Sequence, residues 1–373
     1  MIRANISKRT LKDRWQKWLG SAYDKSLWET NKLEVVQLDV GKNHTQRDFE
    51  SGLGSLKIDI VIHTASTINL GSSLAKIKDV IIEGSLGLAA YASSRQDIER
   101  FVYVSTAFAN AHLQSDGNAE KSLSVPIDES IYPLGDAQRE LEDVRNGIES
   151  DDLEIFPWAY TYAKHLTERL LMQKLGDKLL IVRPSIIGPV LHFPVKGFSV
   201  PKSTPCVTLA AGVMLLPTWR MTLASRLPGA GADATCNVIP VDVGRLIAFW
   251  PISLWICSSG PCLKVKWIKE DWHSARIHPV GRLFKILGTS FDFSDYNTIQ
   301  LEEKMGKSEQ FNTVISEKGV QIPEPGSGSR PQLFVYDEQD LIDFGTWKVS
   351  VKESMEMFAK RDWAARLVVR VLY

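Results

Sequence analysis

Short runs of apolar residues punctuate the first half of the chain, at 34–38, 59–63, 101–105 and 179–183. Each is rich in Val, Ile, Leu, Phe or Tyr and is closed by a polar or turn-forming residue. Continuous runs of this kind suit strands buried on both faces. Between them, apolar positions recur at helical spacing over 7–19, 74–93 and 160–175. Strand–helix alternation predicts a parallel sheet with right-handed crossovers. Such sheets take ligands beyond the carboxyl ends of their strands. Polar clusters fall at those ends: Asp39, His63-Thr64-Ala65-Ser66, Ser105-Thr106 and Arg183-Pro184-Ser185.

The pattern changes near residue 190, where prolines and glycines become frequent. The expectation is a sheet domain over 1–190 and a second, smaller lobe over 191–373, with 237–248 returning to the core. The stretch 323–329 reads as a flexible loop, and an amphipathic helix is expected near 350–373. There is no internal repeat.

Composition narrows the class. The chain has 373 residues, 44% hydrophobic and 24% charged, which allows a large core. The formal net charge is +0, so no nucleic-acid footprint is indicated. Cys206, Cys236, Cys257 and Cys262 are too few and too scattered for a disulfide framework, and no Cys/His pair completes a zinc site. Reduced thiols in a cytoplasmic protein are expected, with no metal. The start carries no apolar leader segment. The most apolar stretches, 207–219 and 246–257, fall short of the roughly 20 residues of a spanning helix, and each contains a proline. Core burial is expected there. Peripheral contact with a membrane surface or a greasy substrate is the minority reading.

Chemistry enters with Tyr160 and Lys164. Four residues is just over one helical turn, so both side chains leave the same face. At about 4 Å and an effective dielectric of about 20, an ammonium favours a phenolate by roughly 4 kcal/mol. That would bring a phenol down by about 3 pKa units, toward neutrality. By itself the spacing reads as a solvated helical face. Thr106, however, ends the strand that packs beside this helix. A hydroxyl, a phenol and an ammonium converging at a sheet end are what the reduction of a carbonyl needs.

Four ordered motifs carry a resemblance: Val61-Ile62-His63-Thr64-Ala65-Ser66-Thr67, Phe101-Val102-Tyr103-Val104-Ser105-Thr106-Ala107-Phe108, Tyr160-Thr161-Tyr162-Ala163-Lys164 and Ile181-Val182-Arg183-Pro184-Ser185. With them the chain resembles the extended short-chain dehydrogenase/reductase superfamily. Within it, the chain is similar to the fatty acyl-CoA reductase ("male sterility") and thioester reductase branch, most like fungal members. Val238-Ile239-Pro240-Val241-Asp242-Val243 and the stretch 278–293 extend the likeness. The resemblance implies a Rossmann-like doubly wound sheet over 1–190 that binds NADPH. It implies reduction of an acyl thioester, CoA-bound or held on an acyl carrier protein, to aldehyde or alcohol. It makes Thr106 the carbonyl-binding hydroxyl, with Ser105 the alternative. Tyr160 becomes the proton donor and Lys164 the ribose-binding cation. Asp39 would sit near the adenine, His63, Ala65 and Ser66 along the cofactor cleft, Pro184 and Ser185 near the nicotinamide, and Arg3 at a 2′-phosphate. His63 also reads as a hydrogen-bonded strand-end residue, and Arg3 as part of a loose terminus.

The chain departs from that branch in two places. No glycine-rich turn opening a helix precedes Met1-Ile2-Arg3, so the first strand and phosphate cradle of the family are expected to be missing and NADPH binding by this stretch to be weak. The helix position that carries a proton-relay asparagine in many members falls near Ile81. The competing readings are an extended-family dehydrogenase or epimerase acting on a sterol or nucleotide-sugar alcohol, and a catalytically impaired relative that binds no cofactor.

Overall fold

A computed structural model describes residues 2–3, 7–19, 26–29, 33–42, 45–54, 56–113, 135–190, 220–225, 235–240, 248–251, 264–270, 273–276 and 300. The apolar stretch 207–219, most of 246–257, the motif at 278–293, the loop at 323–329 and the closing helix at 350–373 lie outside them. The chain divides into two compact units. The first comprises Met1–Gln114, Val125–Pro184 and His278–Leu283; the second comprises Ser115–Ser124, Ser185–Ile277 and Phe284–Tyr373.

In the first unit the elements run β1 (Ile2–Arg3), α1 (Lys8–Leu19), α2 (Ser26–Glu29), β2 (Val36–Gln37), α3 (Gln46–Leu53) and β3 (Ile60–His63). A long helix follows in three parts: α4 (Leu74–Lys78), a π-helical turn (Asp79–Glu83) and α5 (Gly84–Ser93). Then come β4 (Arg100–Val104), α6 (Ala137–Arg145), α7 (Ala159–Leu175) and β5 (Leu179–Val182). All strand pairings are parallel: β1 with β2, and β3–β4–β5 in that order. Alternation of strands and helices thus gives the α/β, Rossmann-like arrangement its pattern predicts.

Local chemistry sets the helix starts. Thr45 caps α3 in a capping box: its hydroxyl accepts from the Asp48 N–H, and the Asp48 carboxylate accepts from the Thr45 N–H at 2.9 Å. Asp136 caps α6 by accepting from the Gln138 N–H at 2.9 Å. Between α3 and α7 lies α5, whose Gly84, Ser85, Gly87, Ala89 and Ala92 are all buried. Small residues let three helices approach closely.

Two apolar clusters build the core. One joins Ile77, Ile81, Leu141, Phe156, Tyr162 and Leu166 between the helices. The other joins Phe49, Leu88, Tyr91, Phe101, Tyr103 and Leu171 between helices and sheet.

The sheet corrects one expectation. Its strands are buried on one face only. Phe101 and Tyr103 are fully buried, whereas Ile60 and Ile62 are 58% and 67% exposed, and Leu180 and Val182 are exposed as well. Both faces carry apolar residues, so composition could not distinguish the covered face from the open one.

The second unit contributes β6 (Ile186–Gly188), β7 (Arg220–Ser225), β8 (Thr235–Pro240), β9 (Ala248–Pro251) and β10 (Lys264–Lys269). β8 lies between β6, parallel, and β9, antiparallel; β7 and β10 form a separate parallel pair. No described helix is long and apolar enough to cross a membrane.

Candidate active site

The carboxyl end of β4 organises the site. Beyond Val104 the chain keeps contact with the segment after β5: the Ser105 N–H donates to the Val182 carbonyl at 2.8 Å, and the Ala107 N–H to the Pro184 carbonyl at 2.9 Å. These bonds fix Thr106 between them. The Thr106 hydroxyl accepts from the Phe108 N–H at 3.3 Å, which starts a 3-10 turn over Ala107–Leu113. Ser105 and Thr106 are both buried, and Ser105 Oγ has no hydrogen-bond partner.

α7 delivers the phenol and the ammonium. Lys164 is 2% exposed, and its Nζ donates to the Val104 carbonyl at 2.9 Å. The helix-borne lysine is therefore tied to the strand end that carries Ser105 and Thr106. The same Nζ lies 4.6 Å from the centroid of the Tyr103 ring. Burial lowers the Lys164 pKa to about 8, with the Glu168 carboxylate opposing that shift. Tyr160 stands one turn earlier on α7, partly buried, with the Ser66 hydroxyl within hydrogen-bonding reach.

The electrostatics differ from the expectation drawn from spacing. Burial pushes the Tyr160 phenol up to about 12, and the Ser66 bond offsets only part of this. The Lys164 ammonium turns to Val104 and Tyr103 instead of stabilising a phenolate. Helical spacing placed both groups on one face; loss of water around the phenol then outweighed their proximity.

Other predicted residues fall in several settings. Asp39, half-buried after β2, accepts from the Gly41 N–H at 3.0 Å. Ala65 and Ser66 are exposed in the segment after β3. His63 is buried, and its Nε2 lies 2.9 Å from Ser85 Oγ, so its ring faces α5 as a hydrogen-bonded strand-end residue. Burial, then the Lys164 charge, lowers its pKa to about 3, which keeps it neutral. Pro184 belongs to the first unit and Ser185 to the second; the Ser185 hydroxyl is buried without a partner. Arg3 lies in β1, and its side chain is outside the described ones. No cluster of metal-ligating residues occurs among the described residues.

Sequence reasoning missed the groups beneath Lys164. Ser85 Oγ donates to the Ile81 carbonyl at 2.5 Å, and Thr167 Oγ1 donates to the Ala163 carbonyl at 2.7 Å. The Tyr103 hydroxyl lies beside both. Two buried ion pairs brace α7: Arg169 with Glu140 at 2.8 Å, and Arg183 with Glu168 at 2.7 Å. Burial of charged residues on a helix read as amphipathic leaves no signature in its spacing.

Residues 1–244 match the family model described as male sterility protein. The chain is 29% identical over 238 residues to fatty acyl-CoA reductase 1 of Xenopus laevis, an alignment covering 58% of this chain and 42% of that protein. It is 28% identical over 226 residues to fatty acyl-CoA reductase 2 of Mus musculus, covering 57% and 39%. The chain thus spans about two-fifths of the length of these curated relatives. Among solved structures it is similar to the terminal R domain from the myxalamid PKS-NRPS biosynthetic pathway, with TM-score 0.55 and 14% identity over 92% of this chain and 82% of that one. At that identity the likeness is one of fold.

Proposed function

Because the chain belongs to the male sterility protein family, we propose that it carries the catalytic site of a nicotinamide-dependent reductase of acyl thioesters. The observation that carries this reading is the bond from Lys164 Nζ to the Val104 carbonyl. It draws the helix bearing Tyr160 onto the strand end bearing Thr106. The substrate is a long-chain acyl group on CoA, in keeping with the names of the relatives, or on a carrier protein. NADPH would be the preferred cofactor, and Arg3, the second residue of β1, would be the residue to hold its 2′-phosphate.

The site suits the nicotinamide half of such a dinucleotide. Ser105 Oγ is buried without a partner. Lys164 makes one hydrogen bond among the described residues, leaving donors for ribose hydroxyls. Asp39 would sit near the adenine, Ala65 and Ser66 along the cofactor cleft, and Pro184 and Ser185 near the nicotinamide. Bound there, the dinucleotide supplies a hydride to the carbonyl carbon.

The protein's own groups manage the oxygen and the proton. The Thr106 hydroxyl donates to the carbonyl oxygen as negative charge develops. Tyr160, whose pKa is pushed up to about 12, is protonated at neutral pH and gives its proton to that oxygen. The Lys164 ammonium, held by the Val104 carbonyl, would bind the ribose hydroxyls. The hemithioacetal then returns its hydroxyl proton to the Tyr160 phenolate and expels thiolate, leaving an aldehyde, and a second reduction would give the alcohol.

The test is thioester-dependent oxidation of NADPH by Tyr160→Phe, which keeps the ring and removes the proton. The rate should fall by at least about 10²-fold. Thr106→Val should lower kcat with little effect on cofactor KM. Near-full activity in Tyr160→Phe would remove the basis of this mechanism. Oxidation of sterol or sugar alcohols without thioester reduction would replace it with the dehydrogenase reading.

A further inference from the structure

Lys164 raises a problem of positioning. An ammonium on a flexible four-carbon stem is buried with one hydrogen bond among the described residues, to the Val104 carbonyl. The ionisable groups facing it are few. From its own helix comes Glu168; from β3 comes His63; from β4 comes Tyr103. His63 is neutral, and Glu168 is committed to Arg183, which donates to it through Nε at 3.0 Å and Nη2 at 2.7 Å. None of these is a dedicated counter-ion.

The remaining neighbour is an aromatic face. We propose that Tyr103 is the positioning residue for Lys164, its ring face seating the ammonium at the end of β4. This rests on the reading of Lys164 as a functional cation, but its geometry stands independently. A cation over a tyrosine ring is attracted by the ring quadrupole, most strongly where water is absent. Here the ring is fully buried and the separation is 4.6 Å.

The seat itself is rigid. Tyr103 is paired in register with His63 on one side and Ile181 on the other. The His63 ring packs 5.7 Å from it. Its hydroxyl lies beside Ser85 and Thr167. Ser85 is in turn fixed by the Ile81 carbonyl and His63 Nε2. Ile81 belongs to the π-helical turn, which breaks the ordinary helical bonding pattern at this point and leaves a carbonyl available to a side chain. Thus Ile81, near which the resemblance puts the family's relay asparagine, supplies a backbone acceptor that helps hold the floor under the lysine.

The experiment reads Lys164 directly. The whole protein is produced with lysine labelled with 13C at Cε and 15N at Nζ, and the Lys164 resonance is assigned by its loss in Lys164→Arg. Its pKa is then followed by NMR without substrate or cofactor. Tyr103→Leu should lower that pKa by about one unit, tenfold in the protonation constant, while Tyr103→Phe should hold it within about 0.3 unit. Because Tyr103→Leu could unfold the sheet, a second series replaces Tyr103 by phenylalanines bearing one, two and three ring fluorines. These keep the ring and weaken its quadrupole stepwise, so the Lys164 pKa should fall stepwise. An unchanged pKa across the fluorinated series would overturn the proposal. Outcomes for the two readings separate: a shifted pKa without thioester turnover defeats the reductase reading alone, and Tyr160-dependent turnover with an unmoved pKa defeats this one alone.

Discussion

Gly84→Ala is a sharp test of how the site is supported. Gly84 opens α5, where the segment after β2 crosses it. A Cβ built there would lie 2.4 Å from Val40 Cγ1, 2.6 Å from the Val40 carbonyl oxygen and 3.2 Å from the Asp79 carbonyl oxygen. Two effects compete. Alanine gains about 1 kcal/mol over glycine inside a helix. Overpacking against groups that cannot move costs about 1–3 kcal/mol, occasionally more. A side-chain methyl can rotate away, but the Val40 carbonyl is backbone, and its retreat would displace Asp39 and Gly41 with it. Against a fixed backbone carbonyl the steric cost falls in the upper part of that range, about 2–3 kcal/mol, so a net loss of about 1–2 kcal/mol is expected, or roughly 2–8 °C in Tm for a unit of this size. Thermal and urea unfolding followed by circular dichroism would measure it. The double variant Gly84→Ala/Val40→Ala removes the 2.4 Å clash and leaves the 2.6 Å one, so it should recover only part of the loss after correction for Val40→Ala alone. Cofactor KM should rise in Gly84→Ala as the Asp39 segment moves. A Gly84→Ala protein as stable as the parent would refute the close approach on which this rests.

Further outcomes follow from the same site. Lys164 must be charged to act, and its pKa is about 8, so kcat/KM should fall tenfold per pH unit above that value; a flat profile to pH 9.5 would remove the requirement. Burial depresses His112 to about 4 and His165 well below its usual range. The unfolded chain then binds more protons below pH 6.5. Stability should be fully present above that and fall toward pH 4, by up to about 1.4 kcal/mol per pH unit for each histidine, measured as the urea midpoint at pH 7 and pH 5. Arg169→Met leaves Glu140 buried without its cation and should cost about 3–5 kcal/mol by urea unfolding; a loss under 1 kcal/mol would show the pair is dispensable.

Strands and helices were legible because their periodicities differ and because the turns between them are polar. The runs at 59–63, 101–105 and 179–183 became β3, β4 and β5, each within a residue at either end. Tyr160, Lys164 and Thr106 were legible as candidates because residue type and helical spacing are both written in one dimension. What they would touch was not. The choice of Lys164 between a phenol and a carbonyl depends on how far α7 slides along β4. The direction of the Tyr160 shift depends on how much water remains around it. His63 was readable two ways because a strand end offers its residue to a cleft or to a neighbouring helix, and Ser85 decided the matter from a different element. The π-helical turn was hidden because 74–93 has an apolar pattern that a continuous α-helix would satisfy nearly as well.

That turn makes the helix sensitive to its length as well as to its composition. One additional residue is accommodated between Lys78 and Gly84, and the two α-helical segments are phased around it. Removing a single residue from 79–83 would close the wide turn and restore uniform α-helical bonding while Leu74 and Ile77 kept their phase relative to α5. A one-residue deletion inside α4 or α5 has no such slack, and it would turn the residues beyond it by about 100°, since each residue advances an α-helix by that angle. Across 74–93, single deletions should therefore be tolerated best at 79–83, and alignments of relatives should be anchored separately on the two sides of the turn.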